Sequence, residues 1–140
     1  VEMGYEWMVD LEQEADFIGK AALKRIKAEG VSRKLVGVEI AGPGLGSYND
    51  SSMIDYFRVF SDSQEVGKVT SACYSPRLEK NIGFAMVPIE YAEFGTELAV
   101  EAPTGRQQAV VVRKPFIDPA KETPKQEVAV GAAAEASNVD

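Results

Sequence analysis

From Lys34 to Arg113 the chain is written as short runs of strand-forming residues, each closed by a cluster of turn formers, and this rhythm leaves few folds open to it. The runs fall at 34–40, 56–60, 66–73, 82–87, 97–102 and 107–113. Gly42-Pro43-Gly44-Leu45-Gly46 opens a loop that continues through Ser52, Ser61-Asp62-Ser63-Gln64 makes a turn, and Pro103-Thr104-Gly105 supplies hairpin chemistry. About six short strands with no long helix between them predict a mainly β fold, an antiparallel barrel of the Greek-key type.

The residues before Arg33 follow another pattern. The first ten, with Tyr5-Glu6-Trp7-Met8-Val9 among them, are rich in strand formers and predict a strand. Asp16 stands where an N-cap is needed, a helix is expected over 17–29, and Gly30 is placed to end it. Phe17, Ile18, Ala21, Ala22 and Ile26 share one side of that helix, with Lys20, Lys24 and Lys27 on the other. Arg25 falls within the apolar arc and is expected to pair with a carboxylate. The fold class is therefore a β-barrel preceded by one α-helix, with 1–32 leading into a barrel domain at 33–117. Residues 118–140 drift to Pro, Lys, Glu and Ala and are expected to form a flexible tail, poorly ordered after Pro119.

Composition narrows the chemistry. A length of 140 residues suits one domain, and a net charge of −7 argues against a phosphate-backbone partner. No nucleic acid is expected, and no membrane, because no apolar run approaches the roughly 20 residues of a membrane helix. The chain has no histidine, which removes Ser-His-Asp and Cys-His catalysis and nearly all zinc sites. Cys73 is the only cysteine, so a reducing, cytoplasmic setting fits best. With no base to activate it, Cys73 reads as a buried structural residue. Gly42, Gly44 and Gly46 are followed by no Lys-Ser or Lys-Thr pair and no helix pattern, so they mark a loop and not a phosphate cradle. Glu90 and Glu93 read as solvated charges. No catalytic residue and no metal ligand set is read in this chain.

Val66-Gly67-Lys68-Val69-Thr70-Ser71-Ala72-Cys73-Tyr74-Ser75-Pro76, followed by Lys80-Asn81-Ile82-Gly83-Phe84-Ala85-Met86-Val87, closely resembles the C-terminal domain of the glycine cleavage system T-protein. Asp16-Phe17-Ile18-Gly19-Lys20 and Arg33-Lys34-Leu35-Val36-Gly37-Val38 upstream, with Gly95-Thr96-Glu97-Leu98 and Pro115-Phe116 downstream, extend the resemblance over roughly residues 4 to 117. The wider family includes dimethylsulfoniopropionate demethylase, aromatic O-demethylases and the folate domains of dimethylglycine and sarcosine dehydrogenases. The resemblance implies tetrahydrofolate as cofactor, held in a channel of a larger N-terminal folate-binding domain whose catalytic aspartate lies outside this chain. Val1-Glu2-Met3-Gly4 reads accordingly as an internal cut, and 1–32 as the linker from that domain.

Within the resemblance Trp7 matches an aromatic residue near the folate ring, the alternative being a core tryptophan. Ser71, Tyr74 and Ser75 lie on a loop that the family turns toward the channel, although hydroxyls before Pro76 also commonly satisfy a tight turn. These four are the candidate cofactor-binding residues. The family's folate-contacting tyrosine beyond the final Pro-Phe has no counterpart in Asp118-Pro119-Ala120-Lys121. The implied whole is an aminomethyltransferase, or a demethylase of a sulfur, oxygen or nitrogen donor, acting on a small one-carbon donor. A stand-alone binding module is the rival reading, and an exposed face could equally make a homo-oligomer.

Overall fold

Alternation along each strand sorts one set of side chains to a shared interior. In the computed structural model, which describes residues 1–45 and 57–125, the strands are β1 (Arg33–Ile40), β2 (Phe57–Ser61), β3 (Gln64–Ser75), β4 (Lys80–Pro88), β5 (Glu97–Ala102) and β6 (Gly105–Val112). They close in the order β1-β4-β3-β2-β5-β6, every pair antiparallel. β2, β3 and β4 form a meander and β5 crosses back to lie beside β2, which is the Greek-key connection. The expected barrel is thus the observed one. The loop expected through Ser52, the strand start at Tyr56 and the tail from 126 onward lie outside the described residues.

The six largest fully buried side chains are Val38, Val59, Val69, Val87, Val100 and Val111, one from each strand. Valine is stiff at χ1 and branched at Cβ, so it fills a narrow, pleated interior without needing the volume of an aromatic ring. Leu98, Ala85, Ala109 and Phe57 complete that packing. A barrel filled this way holds no ligand inside. Room for a ligand lies outside that interior.

β3 carries a bulge at Thr70: Val69 pairs with Ala85 but Ser71 pairs with Phe84. The extra residue shifts the alternation, so Ala72 is buried and Cys73 is exposed. The expectation of a buried Cys73 is corrected for this reason. At Gly67 in β3 a Cβ would collide with the carbonyl oxygen of Met86 in β4.

The N-terminal part departs from its expected form. No strand forms in residues 1–10; Glu6–Met8 is a 3-10 turn instead. The helix α1 is Lys20–Glu29, three residues shorter at its start than expected, with Gly19 at its N-cap in the left-handed region (φ 93°). Asp16 does not cap it: among the described residues its carboxylate accepts only the adjacent Phe17 N–H, at 3.0 Å. Lys20, expected on a solvent face, is half-buried and donates to the carbonyls of Gln13 and Ala15. Helix α1 buries none of its residues completely, and Arg25 is exposed with no ion pair among the described residues. At the other end Asp118 accepts the N–H groups of Glu122 and Thr123 at 2.8 and 2.7 Å, so part of the expected flexible tail is a capped 3-10 turn, Thr123–Lys125.

Candidate functional site

A filled barrel directs attention to its surroundings, where two features are built. The first is a cavity of about 580 Å³ between the N-terminal segment and helix α1, lined mainly by Tyr5, Trp7, Leu11, Leu23 and Ile26. Glu6 and Lys27 place one charge of each sign on its border. Its volume is that of a small-molecule site, and its lining is apolar with few polar groups. Trp7 is 79% exposed, outside the barrel core, with Met8 65% exposed beside it.

The second feature is the end of β3. Ser75 is buried and its Oγ accepts the Leu78 N–H at 3.4 Å, the turn-satisfying role weighed from sequence. Tyr74 is exposed; its N–H donates to the Leu45 carbonyl at 3.3 Å and its ring lies against Gly44. Ser71 is half-buried and borders an apolar cleft with Cys73, Phe84 and Phe116. Of the four candidate residues, the structure brings Ser71, Tyr74 and Ser75 to one strand end and gives Trp7 a cavity of its own.

Two residues that organise these features had not been singled out. Asn81, 2% exposed, accepts the Leu45 N–H at 2.7 Å through Oδ1. Its Nδ2 donates to the carbonyls of Ile40, Gly42 and Pro43 at 3.3, 3.4 and 3.0 Å. The glycine-rich loop is therefore held at its start by one carboxamide. A signal existed: counting back by twos from Val87 puts this amide on the core face. Lys114 is the other, with Nζ donating to the Met3 and Leu35 carbonyls at 3.2 and 2.9 Å. Burial, joined by the nearby Lys34, holds its pKa below the usual lysine range, while Glu6 opposes the shift. No feature of the sequence marked it.

Glu90 and Glu93 are exposed, as expected of solvated charges. Among the described residues no group of three or more His, Cys, Asp or Glu could hold a metal ion, and no helix is long and apolar enough to cross a membrane.

Fold and site together define a six-stranded Greek-key barrel domain bearing an N-terminal segment with exposed apolar side chains and a ligand-sized cavity outside the barrel. The chain belongs to the family of the glycine cleavage T-protein C-terminal barrel domain, whose family model matches residues 33–118. It is similar to the aminomethyltransferase of Geobacillus sp. (strain WCH70), 40% identical over 121 residues, which are 86% of this chain and 31% of that protein. It is likewise 40% identical over 116 residues to the aminomethyltransferase of Bacillus cereus (strain B4264), covering 83% of this chain and 30% of the relative. The chain thus spans under a third of the length of these relatives. The crystal structure of glycine cleavage system aminomethyltransferase T from Bartonella henselae has the same fold, with a TM-score of 0.70 at 22% identity, over 83% of this chain and 31% of that one.

Proposed function

We propose that this chain is the C-terminal barrel of a tetrahydrofolate-dependent aminomethyltransferase, closing the folate channel against an N-terminal folate-binding domain of the same protein. The observation that carries the reading, given the family, is where apolar surface is left open. Of the ten large hydrophobics exposed among the described residues, six (Met3, Tyr5, Trp7, Met8, Val9 and Ile18) lie in the first 18 residues. Clustered exposure of this kind marks a surface that another body covers.

Tetrahydrofolate offers flat rings and an anionic glutamate, and the Trp7 cavity fits part of that demand with two aromatic side chains and the Lys27 ammonium. Trp7 is the proposed ring contact, and Ser71, Tyr74 and Ser75 are proposed to face the channel from the barrel rim. The bound folate would accept the one-carbon unit. What this chain's residues do is position the ligand and exclude water; the acid for the transfer from a small one-carbon donor comes from the N-terminal domain. A cytoplasmic protein fits a lone exposed thiol.

Joined behind the N-terminal region of the Geobacillus relative, the chain is expected to support tetrahydrofolate-dependent aminomethyl transfer, and alone to show none. A folded fusion that binds no tetrahydrofolate overturns the reading. Dimerisation of the lone chain that is lost on Trp7→Ala would make a second copy the occupant of the same face.

A further inference from the structure

Residues 1–8 belong to no sheet, yet they follow a defined course along the barrel. Two sets of contacts hold them there. The Glu2 carbonyl accepts the Leu35 N–H at 2.9 Å, and the Glu2 carboxylate meets Arg33 Nε at 3.1 Å. That ion pair is exposed and contributes little. The second set comes from the far end of the chain. Lys114, just beyond β6, places one ammonium against the carbonyl of Met3 in the N-terminal segment and the carbonyl of Leu35 in β1. The same ammonium lies 5.9 Å from the centre of the Phe84 ring.

The base of Lys114 is itself anchored. Phe116, two residues on, packs over Gly37, its ring carbons 3.1 and 3.2 Å from where a Cβ would stand, and its centroid is 5.4 Å from that of Phe84. Hydrogen bonds from a charged donor at a half-buried site are stronger than their exposed counterparts. Glu6, close enough to act on the charge of Lys114, stands directly before Trp7.

We infer that Lys114 is a positioning residue: it clasps the N-terminal strap to the barrel, and through the strap it fixes Trp7 and one wall of the 580 Å³ cavity. The clasp joins the segment that leads into the barrel with the segment that leaves it, across 111 residues. Its consequence for folate rests on the proposed function. The clasp itself does not, and it is tested in the 140-residue chain with no ligand present.

Trp7 is the only tryptophan, so its fluorescence reports the strap alone. Lys114→Met keeps the stem and removes the donors. The expected result is lower Trp7 anisotropy and stronger acrylamide quenching, with exchange of the Leu35 amide faster by about tenfold and the core β4 amides unchanged. Lys114→Arg, which keeps charge and donors, should restore most of the anisotropy. Unchanged Trp7 anisotropy and Leu35 exchange in a folded Lys114→Met chain would overturn the inference. Should that variant not fold, Lys114→Glu, whose carboxylate is polar and cannot donate to a carbonyl, carries the same test with the same deciding outcome. In a full-length fusion, lost folate affinity in Lys114→Met is expected; an intact clasp in the lone chain with no folate bound by the wild-type fusion would fault the proposed function and leave the clasp standing.

Discussion

The Leu45 backbone N–H donates to Asn81 Oδ1 at 2.7 Å across 36 residues of chain, and the carbonyls of Ile40, at the end of β1, and of Gly42 and Pro43, in the loop, accept from Nδ2. Asn81→Ala removes that carboxamide and leaves the loop's backbone groups without partners. The expected loss is about 2–3 kcal/mol in urea unfolding, larger than one hydrogen bond because four bonds, one buried and three part-buried, are lost together. A change below about 0.5 kcal/mol, within the range of an ordinary surface substitution, would show that the loop holds without it.

Gly67→Ala should cost about 1–3 kcal/mol, because the added methyl meets the backbone oxygen of Met86 and not the movable end of a side chain. Thermal unfolding followed by circular dichroism measures it. Wild-type stability in this variant would mean that β3 and β4 separate there at little cost.

Asp118 is half-buried, and its pKa is lowered chiefly by the Thr123 N–H, then by that of Glu122, with Arg77 adding to the shift. A depressed carboxylate stabilises the turn fully above its ordinary value of 3.8 and loses that contribution as pH falls through the lower folded value. Amide chemical shifts of Glu122 and Thr123 should therefore titrate together below that ordinary value. Titration of either amide at or above it would contradict the cap.

Exposed Cys73 should react with a disulfide reagent in the native protein within about tenfold of the rate in the unfolded chain, since access limits a thiol's reaction when it is buried. Labelling that appears only on denaturation would restore the buried role first expected of it.

Trp7→Ala is expected to leave the lone chain's stability within about 0.5 kcal/mol, as its side chain is mostly in solvent. In a full-length fusion it should weaken tetrahydrofolate binding by about 0.5–1.5 kcal/mol. Unchanged affinity would remove Trp7 from the ligand.

The strand rhythm between Arg33 and Val112 was legible because it is local. Alternation acts over two residues and a turn over four, so Val38, Val100 and Val111 are set toward the interior before any partner arrives. Asn81 could be found by the same count. The N-terminal segment misled, since strand propensity in Tyr5-Glu6-Trp7 describes residues that suit a sheet, and among the described residues these pair with no strand.

What the sequence determined by itself was the six-stranded barrel, which rests on patterns a few residues long, and the family resemblance, which rests on motifs kept in order over roughly residues 4 to 117. The tertiary structure alone decided that a bulge at Thr70 turns Cys73 outward, that Gly19 and not Asp16 caps helix α1, and that Lys114 reaches Met3. The bulge and the reach of Lys114 depend on where barrel closure places distant backbone. Lys114 meets carbonyls 79 and 111 residues away, and a carbonyl is present at every position of the chain, so no pattern in the residues could mark which two it would find.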